Sequence, residues 1–267
     1  MRAFVTLLSN ESYLKGVMGL NRALKDVGSI YPLYCMLSAS VGDELVKSLE
    51  IEGIVCIHLP NSCLIEDEEL KEGNFSHWSY TFDKLQMWGL TQFEKIIFID
   101  SDMLILRNID SLFEEKPFSA VPAGYFSCLR EDWLYLNSGL MVVEPNERVL
   151  QEMLQLAPKV IQEFKERNEF VGDQDVIKRY CSNWKDDTDL HLDEGYNLFA
   201  DYLTYYIKKW GYSWSGKNGK PIYVVHFIGK KKPWMRKDLR NWGWIIKTCL
   251  TNPYYFLAYR KYLSYLN

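Results

Sequence analysis

Apolar runs and amphipathic stretches alternate through the opening of the chain. Ala3 to Leu8, Tyr31 to Leu37 and Gly53 to Leu59 are short and apolar, and read as strands. Tyr13 to Leu24 sets Leu14, Val17, Met18 and Leu24 along one helical side, with Asn21 breaking the stripe. Val41 to Leu49 repeats the helical pattern. This β-α-β-α-β order predicts a parallel sheet. Residues 60 to 80 are polar and aromatic without a period, and read as a loop or flap. Thr81 to Leu90 predicts a helix feeding Ile96-Ile97-Phe98-Ile99, a charge-free run that reads as a strand buried on both faces. Further on, Asn137 to Val143 predicts a strand, and Arg148 to Arg167 a long amphipathic helix interrupted by Pro158. Asp173 to Tyr180 predicts a helix with an acid at its amino end, where the dipole favours it. Tyr223 to Phe227 is a last strand, with His226 near its end. The fold class is α/β: a mostly parallel central sheet flanked by helices.

The central run ends in Asp100-Ser101-Asp102. An extended chain points residues i and i+2 the same way, so Asp100 and Asp102 aim at one spot and Ser101 aims away. Paired carboxylates past the carboxyl end of a buried strand suit Mg²⁺ or Mn²⁺, at the place where open α/β sheets hold ligands. A surface loop with two solvated acids has the same sequence. There is no G-x-G-x-x-G after the first strand and no G-x-x-x-x-G-K-[ST], which argues against dinucleotide and P-loop folds.

Other polar groups fall at strand and helix ends, and each has two readings. His226 suits a nitrogen ligand, or a hydrogen-bonded residue at the sheet rim. Such a mixed O/N set favours Mn²⁺, with Mg²⁺ as the other choice. Lys232 suits a phosphate, and Gly229 lets backbone approach one closely. Asp173 suits a site or a helix cap, Lys84 a site or a solvated helix face, Asn137-Ser138-Gly139 a site or a turn, and Tyr13 a site or the core. Together, a divalent ion and a lysine neutralise the charge that develops on a departing diphosphate.

Composition narrows the setting. The chain has 267 residues, 48% of them hydrophobic, enough for one large domain or one and a half. A net charge of −4 gives no argument for nucleic acid. Six cysteines without C-x-x-C or regular spacing suit reduced thiols in a cytoplasmic protein. The apolar opening is too short for a signal peptide or a membrane span. From Lys230 to Asn267 the charge is +8, against −12 for the rest. This divides the chain into residues 1–235 and a basic, aromatic tail, 236–267. Trp242, Trp244, Ile245, Ile246, Leu250, Tyr254, Tyr255, Phe256 and Tyr259 are interspersed there with Lys247, Arg260 and Lys261. The tail either docks on the inner, anionic membrane face or packs as a helix on the acidic body.

The order of motifs resembles glycogenin-type glycosyltransferases of the retaining family 8. The likeness is carried by Phe4-Val5-Thr6-Leu7…Asn10…Tyr13-x-x-Gly16 and by Lys84-Leu85-x-x-Trp88 running on into Phe98-x-Asp100-Ser101-Asp102. Asn137-Ser138-Gly139, Gly172-Asp173-Gln174 and His226-Phe227-x-Gly229-x-x-Lys232-Pro233-Trp234 follow in the family's order. The resemblance implies a GT-A fold, a UDP-sugar donor and Mn²⁺. It assigns uridine and ribose to Leu7, Ser9, Asn10 and Tyr13, with Ser101 near the ribose. It makes Asp100, Asp102 and His226 the metal ligands, and gives the diphosphate to Gly229 and Lys232. Asn137, Ser138, Asp173 and Gln174 face the donor sugar, and Lys84 steadies transition-state charge.

The chain departs from the family at the sugar. Ala123 and Phe170 stand where glycogenin-like members have acids, which leaves glucose, galactose or another hexose open. Thr204 stands near the tyrosine on which glycogenin builds its own chain. The expected acceptor is therefore separate: a glycan, a lipid-linked glycan or a protein. A homodimer is compatible with the sequence. Two other readings are a nucleotidyltransferase or phosphohydrolase using the same carboxylates, and a weakly active nucleotide-sugar-binding scaffold.

Overall fold

The computed structural model describes residues 1–59, 79–122, 135–229, 231–235 and 239–266. Strand β1 (Arg2–Leu8), helix α1 (Leu14–Asp26), β2 (Leu33–Leu37), α2 (Asp43–Ile51) and β3 (Val55–His58) follow the predicted alternation. β1 pairs parallel with β2, and β2 with β3. β4 (Lys95–Ile99) lies parallel on the other side of β1. β5 (Met103–Ile105) leaves this sheet, while β6 (Ala120–Pro122) and β7 (Leu136–Val143) extend it to the order β3-β2-β1-β4-β7-β6. β7 runs antiparallel to both its neighbours and is the one reversed strand of the six.

The central strands of the sheet are buried on both sides, as the charge-free runs require. Along β1 and β4, Phe4, Leu8, Ile97 and Ile99 enter one core. Ala3, Val5, Ile96 and Phe98 enter the other, the period-two division of a strand covered twice. The second core is closed by α3 (Glu147–Glu166) and α4 (Asp173–Tyr180). The first is closed by α1, α2 and a smaller sheet. That sheet sets a three-residue strand, Val224–His226, between β5 and β8 (Leu198–Phe199). Between its strands lie α5 (Leu203–Trp210), β9 (Tyr212–Ser213) and β10 (Lys220–Pro221), and the last strand, Val224–His226, is β11. Two helices end the chain, α6 (Leu239–Thr251) and α7 (Pro253–Ser264).

Several expectations need correction. Helix α3 runs through Pro158 without interruption. Leu150, Met153, Ala157, Val160 and Ile161 bury its apolar face, and that packing outweighs the missing backbone hydrogen bond. Asn21 does not weaken α1, for its buried amide donates to the Glu52 carbonyl at 2.9 Å. The predicted helix at Thr81 to Leu90 is a 3-10 segment, Ser79–Gly89. Residues 82–88 are all buried, so the segment lies inside the fold and presents no solvated face. Most of the loop expected at residues 60 to 80 lies outside the described residues.

Helix α7 buries Tyr255, Ala258, Tyr259 and Tyr262. Ile246 and Leu250 of α6 are 55% and 80% exposed. Among the described residues Cys35, Cys56, Cys181 and Cys249 are free thiols. No described helix is long and apolar enough to cross a membrane.

Candidate active site

The two carboxylates converge by a route other than an extended chain. Residues 100–103 form a tight turn closed by the Met103 N–H donating to the Asp100 carbonyl at 3.1 Å. The turn carries the chain from the large sheet to the small one. The Asp100 N–H donates to the Gly139 carbonyl of β7 at 2.7 Å. The Asp102 carbonyl accepts the Phe227 N–H at 3.0 Å, and Met103 pairs with His226. This junction brings His226 to the acids. Asp100, Asp102 and His226 each offer a ligand atom, and these atoms lie within 4.8 Å of one another.

The tautomer of His226 follows from a chain of hydrogen bonds anchored on a backbone group. The Gly139 N–H can only donate, and it donates to Asn137 Oδ1 at 3.0 Å. That oxygen also accepts from Asn197 Nδ2 at 2.8 Å, which leaves Asn197 Oδ1 to face His226 Nδ1 at 2.9 Å. Nδ1 therefore carries the proton, and the Nε2 lone pair points at Asp102 Oδ1, 3.1 Å away. Two acceptors at that separation repel unless a cation or a second proton stands between them. The donor set of two carboxylates and a neutral imidazole thus fits a divalent ion. Gly139 leaves no room for a side chain, since a Cβ there would lie 2.8 Å from Asn137 Oδ1, His226 Cε1 and Met103 Cε.

The sequence reading passed over Asn197. Its one signal is a polar residue inside the otherwise apolar Tyr196 to Ala200. Asn197→Leu is expected to weaken Mn²⁺ binding about 10- to 100-fold, as loss of a metal ligand's outer partner does. Titration of the purified variant with Mn²⁺ checks this, and unchanged affinity would refute the orienting role.

Lys84 is not on a solvated face. Its ammonium is buried 2.9 Å from Asp100 Oδ1 and 3.3 Å from Asp173 Oδ2. Ser138 adds its hydroxyl at 3.3 Å and its carbonyl at 3.4 Å. The Ser138 hydroxyl donates to Asp173 Oδ2 at 2.8 Å, and the Ser138 N–H donates to Gln174 Oε1 at 3.0 Å. Lys84, Ser138, Asp173 and Gln174 are therefore one network attached to Asp100. Burial works against the Lys84 ammonium, but the two carboxylates overcome it and hold its pKa above the ordinary value. Burial raises the pKa of Asp100, and Asp102 adds to the rise against the pull of Lys84. Burial acts the same way on Asp102, but His226 when protonated, and Lys232, hold its carboxyl well below the usual carboxylate range.

On the other side Lys232 Nζ lies 2.5 Å from Asp102 Oδ2 and donates to the Phe227 carbonyl at 2.8 Å. The same ammonium is 6.0 Å from the centre of the Tyr13 ring. Tyr13 is half-buried against Trp234, whose indole N–H donates to the Ser12 carbonyl at 2.6 Å. Gly229 has φ +81°, a conformation that favours glycine. Asn10 caps the short turn after β1, accepting the Ser12 N–H at 3.1 Å and donating to Ser9 Oγ at 3.2 Å. Leu7 is half-buried near the end of β1, and Ser101 is buried in the turn.

Residues 4–238 match the family described as Glycosyl transferase family 8. The chain belongs to this family. It is 33% identical to mouse Glycogenin-1 over 238 residues, which cover 87% of this chain and 65% of the mouse protein. To human Glycogenin-1 it is 32% identical over 239 residues, covering 87% of this chain and 62% of the human one. The chain thus spans just under two thirds of the length of these relatives. Among solved structures it resembles the galactosyltransferase LgtC in complex with donor and acceptor sugar analogs. That likeness has a TM-score of 0.61 at 14% identity and covers 94% of this chain and 96% of LgtC. The fold is GT-A, α/β with a mainly parallel central sheet.

Two family departures acquire surroundings. Phe170, just before α4, is 59% exposed. The Thr204 hydroxyl donates to Asn252 Oδ1 at 2.6 Å, so its proton is already committed within the fold. Ala123 lies outside the described residues.

Proposed function

We propose that this chain is a metal-dependent, retaining hexosyltransferase. It moves glucose or galactose from a UDP-sugar to a separate glycan, lipid-linked or protein acceptor. One arrangement carries the reading: His226 Nε2 faces the Asp102 and Asp100 carboxylates at 3.1 and 4.0 Å, with Lys84 on one side and Lys232 on the other. Asp100, Asp102 and His226 would hold the ion, and their mixed oxygen and nitrogen set favours Mn²⁺ over Mg²⁺. Once bound, it supplies Lewis-acid neutralisation of the leaving diphosphate.

The chain's own groups do the rest. Lys232 and the backbone at Gly229 receive phosphate oxygens, and Leu7, Ser9, Asn10, Tyr13 and Ser101 receive the nucleoside. Asn137, Ser138, Asp173 and Gln174 orient the hexose. Asp173 is engaged by Lys84 and Ser138, which supports positioning rather than nucleophilic attack. In the reaction the bond from the anomeric carbon to UDP breaks. The acceptor oxygen bonds to the same face, and its proton passes to the departing phosphate oxygen.

Incubation with UDP-glucose or UDP-galactose and Mn²⁺ tests the proposal. UDP release is expected, stopping with excess EDTA and returning with Mn²⁺, while the intact mass of the protein stays constant. A ladder of added hexoses would refute a separate acceptor. Absence of UDP release from every UDP-hexose would refute the transferase.

The tail's charge and its exposed Ile246 and Leu250 support peripheral contact with an anionic membrane surface, on the cytoplasmic side. Vesicles containing phosphatidylglycerol are expected to float the full chain and to leave the Ile246→Ser/Leu250→Ser variant behind. Equal flotation of both, or of neither, rejects this contact.

A further inference from the structure

A cavity of about 200 Å³ lies beside the loop that follows His226. Asp201, Ile228, Gly229, Lys231, Trp244 and Tyr255 are among its walls. None of the three candidate metal ligands lines it, yet Gly229 does, so it adjoins the donor site without being part of the cation site. Its walls come from three separate stretches: the segment before α5, the loop after β11, and the two C-terminal helices.

Asn252 locks these stretches together. Its Nδ2 donates to the carbonyls of Ala200 and Asp201, each at 2.9 Å. Its Oδ1 accepts from Thr204 N and Oγ1 and caps α7 through the Tyr255 N–H. The buried Tyr255 ring meets the Trp244 ring edge-on, with centres 5.6 Å apart, and fixes that wall from behind. Lys231 Nζ lies 4.6 Å from the centre of the Trp244 ring.

The chemistry of these walls selects a class of ligand. A volume near 200 Å³ holds roughly seven waters' worth of liquid, room for one pyranose ring and its hydroxyls. A pyranose has an apolar face of C–H bonds, which suits the electron-rich face or edge of an indole. Its rim of hydroxyls both donates and accepts. Asp201 supplies an acceptor and Lys231 a donor at the same opening.

We propose that this cavity is an acceptor subsite, holding the terminal hexose of a glycan whose hydroxyl receives the transferred sugar. Trp244 is the stacking wall, and Asp201 and Lys231 read the hydroxyls. The C-terminal helices thereby take part in substrate choice. This inference rests on the transferase reading above.

The test uses the full chain, UDP-glucose and UDP-galactose with Mn²⁺, and an array of immobilised glucose- and galactose-terminated glycans. UDP release to water is measured alongside transfer to glycan. Trp244→Ala is expected to lower transfer about five- to tenfold through acceptor KM, while release to water stays near that of the unsubstituted protein. Trp244→Phe restores most of the transfer. Asp201→Asn, at an exposed position, also raises acceptor KM and guards against a folding defect in the tryptophan variant. The inference is overturned if both variants transfer at the original rate, or if transfer and release fall together in both. It is also overturned if the unsubstituted chain releases UDP but glycosylates no glycan on the array, an outcome that leaves the transferase proposal standing. Absence of UDP release altogether overturns both.

Discussion

Lys84→Met is expected to reduce turnover of a UDP-hexose by about 10²- to 10³-fold, the range seen when a preorganised charge-stabilising donor is removed. Methionine nearly matches the stem's volume, so packing against Phe98 persists, where the ammonium now sits 4.8 Å from the ring centre. What disappears is the cation between Asp100 and Asp173. Removing one partner of a buried ion pair costs about 3–5 kcal/mol, because the other charge stays buried without compensation. Here two carboxylates are left, although the Asp100 side chain keeps 30% exposure and so lessens the penalty. A fall in melting temperature of about 10 °C corresponds to that range for a chain of this size. Adding Asp173→Asn to Lys84→Met should recover part of the stability and none of the turnover. Thermal melting and UDP release on the single and double variants separate the two effects. A single variant with undiminished turnover would remove Lys84 from the site.

Tyr262→Ala should cost about 3–5 kcal/mol of stability. The Tyr262 ring is 1% exposed and stacks on Trp234, with centres 5.5 Å apart. Its hydroxyl shares its one proton between the Ser101 carbonyl at 3.3 Å and the Gly16 carbonyl at 3.4 Å. The side chain therefore supports both the turn that carries the two acids and the tryptophan beside Tyr13. Its loss leaves a cavity under the turn, where Gly16 already sits so close that a Cβ would lie 2.8 Å from the Ser101 carbonyl. Tyr262→Phe keeps the ring and loses one long, shared hydrogen bond, so about 1 kcal/mol is expected. Denaturant unfolding of both variants measures the difference. Equal stability of Tyr262→Ala and the parent would show that α7 is dispensable to the body of the fold.

The central sheet was legible because charge-free runs and amphipathic stretches alternate with clear periods, and β1 to β4 follow that alternation. Motif order made Asp100, Asp102 and His226 legible as a group. The route by which they meet was not, because hydrophobic periodicity says nothing about a turn between two sheets. The strands of the small sheet have two or three residues each, too few to show any period. The residues around Lys84 left both a site and a solvated face open, because a single lysine in a helical pattern looks the same whether or not two acids from distant segments reach it. Asn197 left no periodic mark, since its work is done by hydrogen bonds to residues 60 and 29 positions away.

The turn at residues 100–103 ties the two sheets together at the carboxylates. Asp100 hangs from the large sheet through Gly139, whereas His226 belongs to the small one. The gap between the ligand atoms is thus a measure of how the two layers seat on each other. Apolar side chains packed between those layers would act as shims that set how far His226 stands from Asp100.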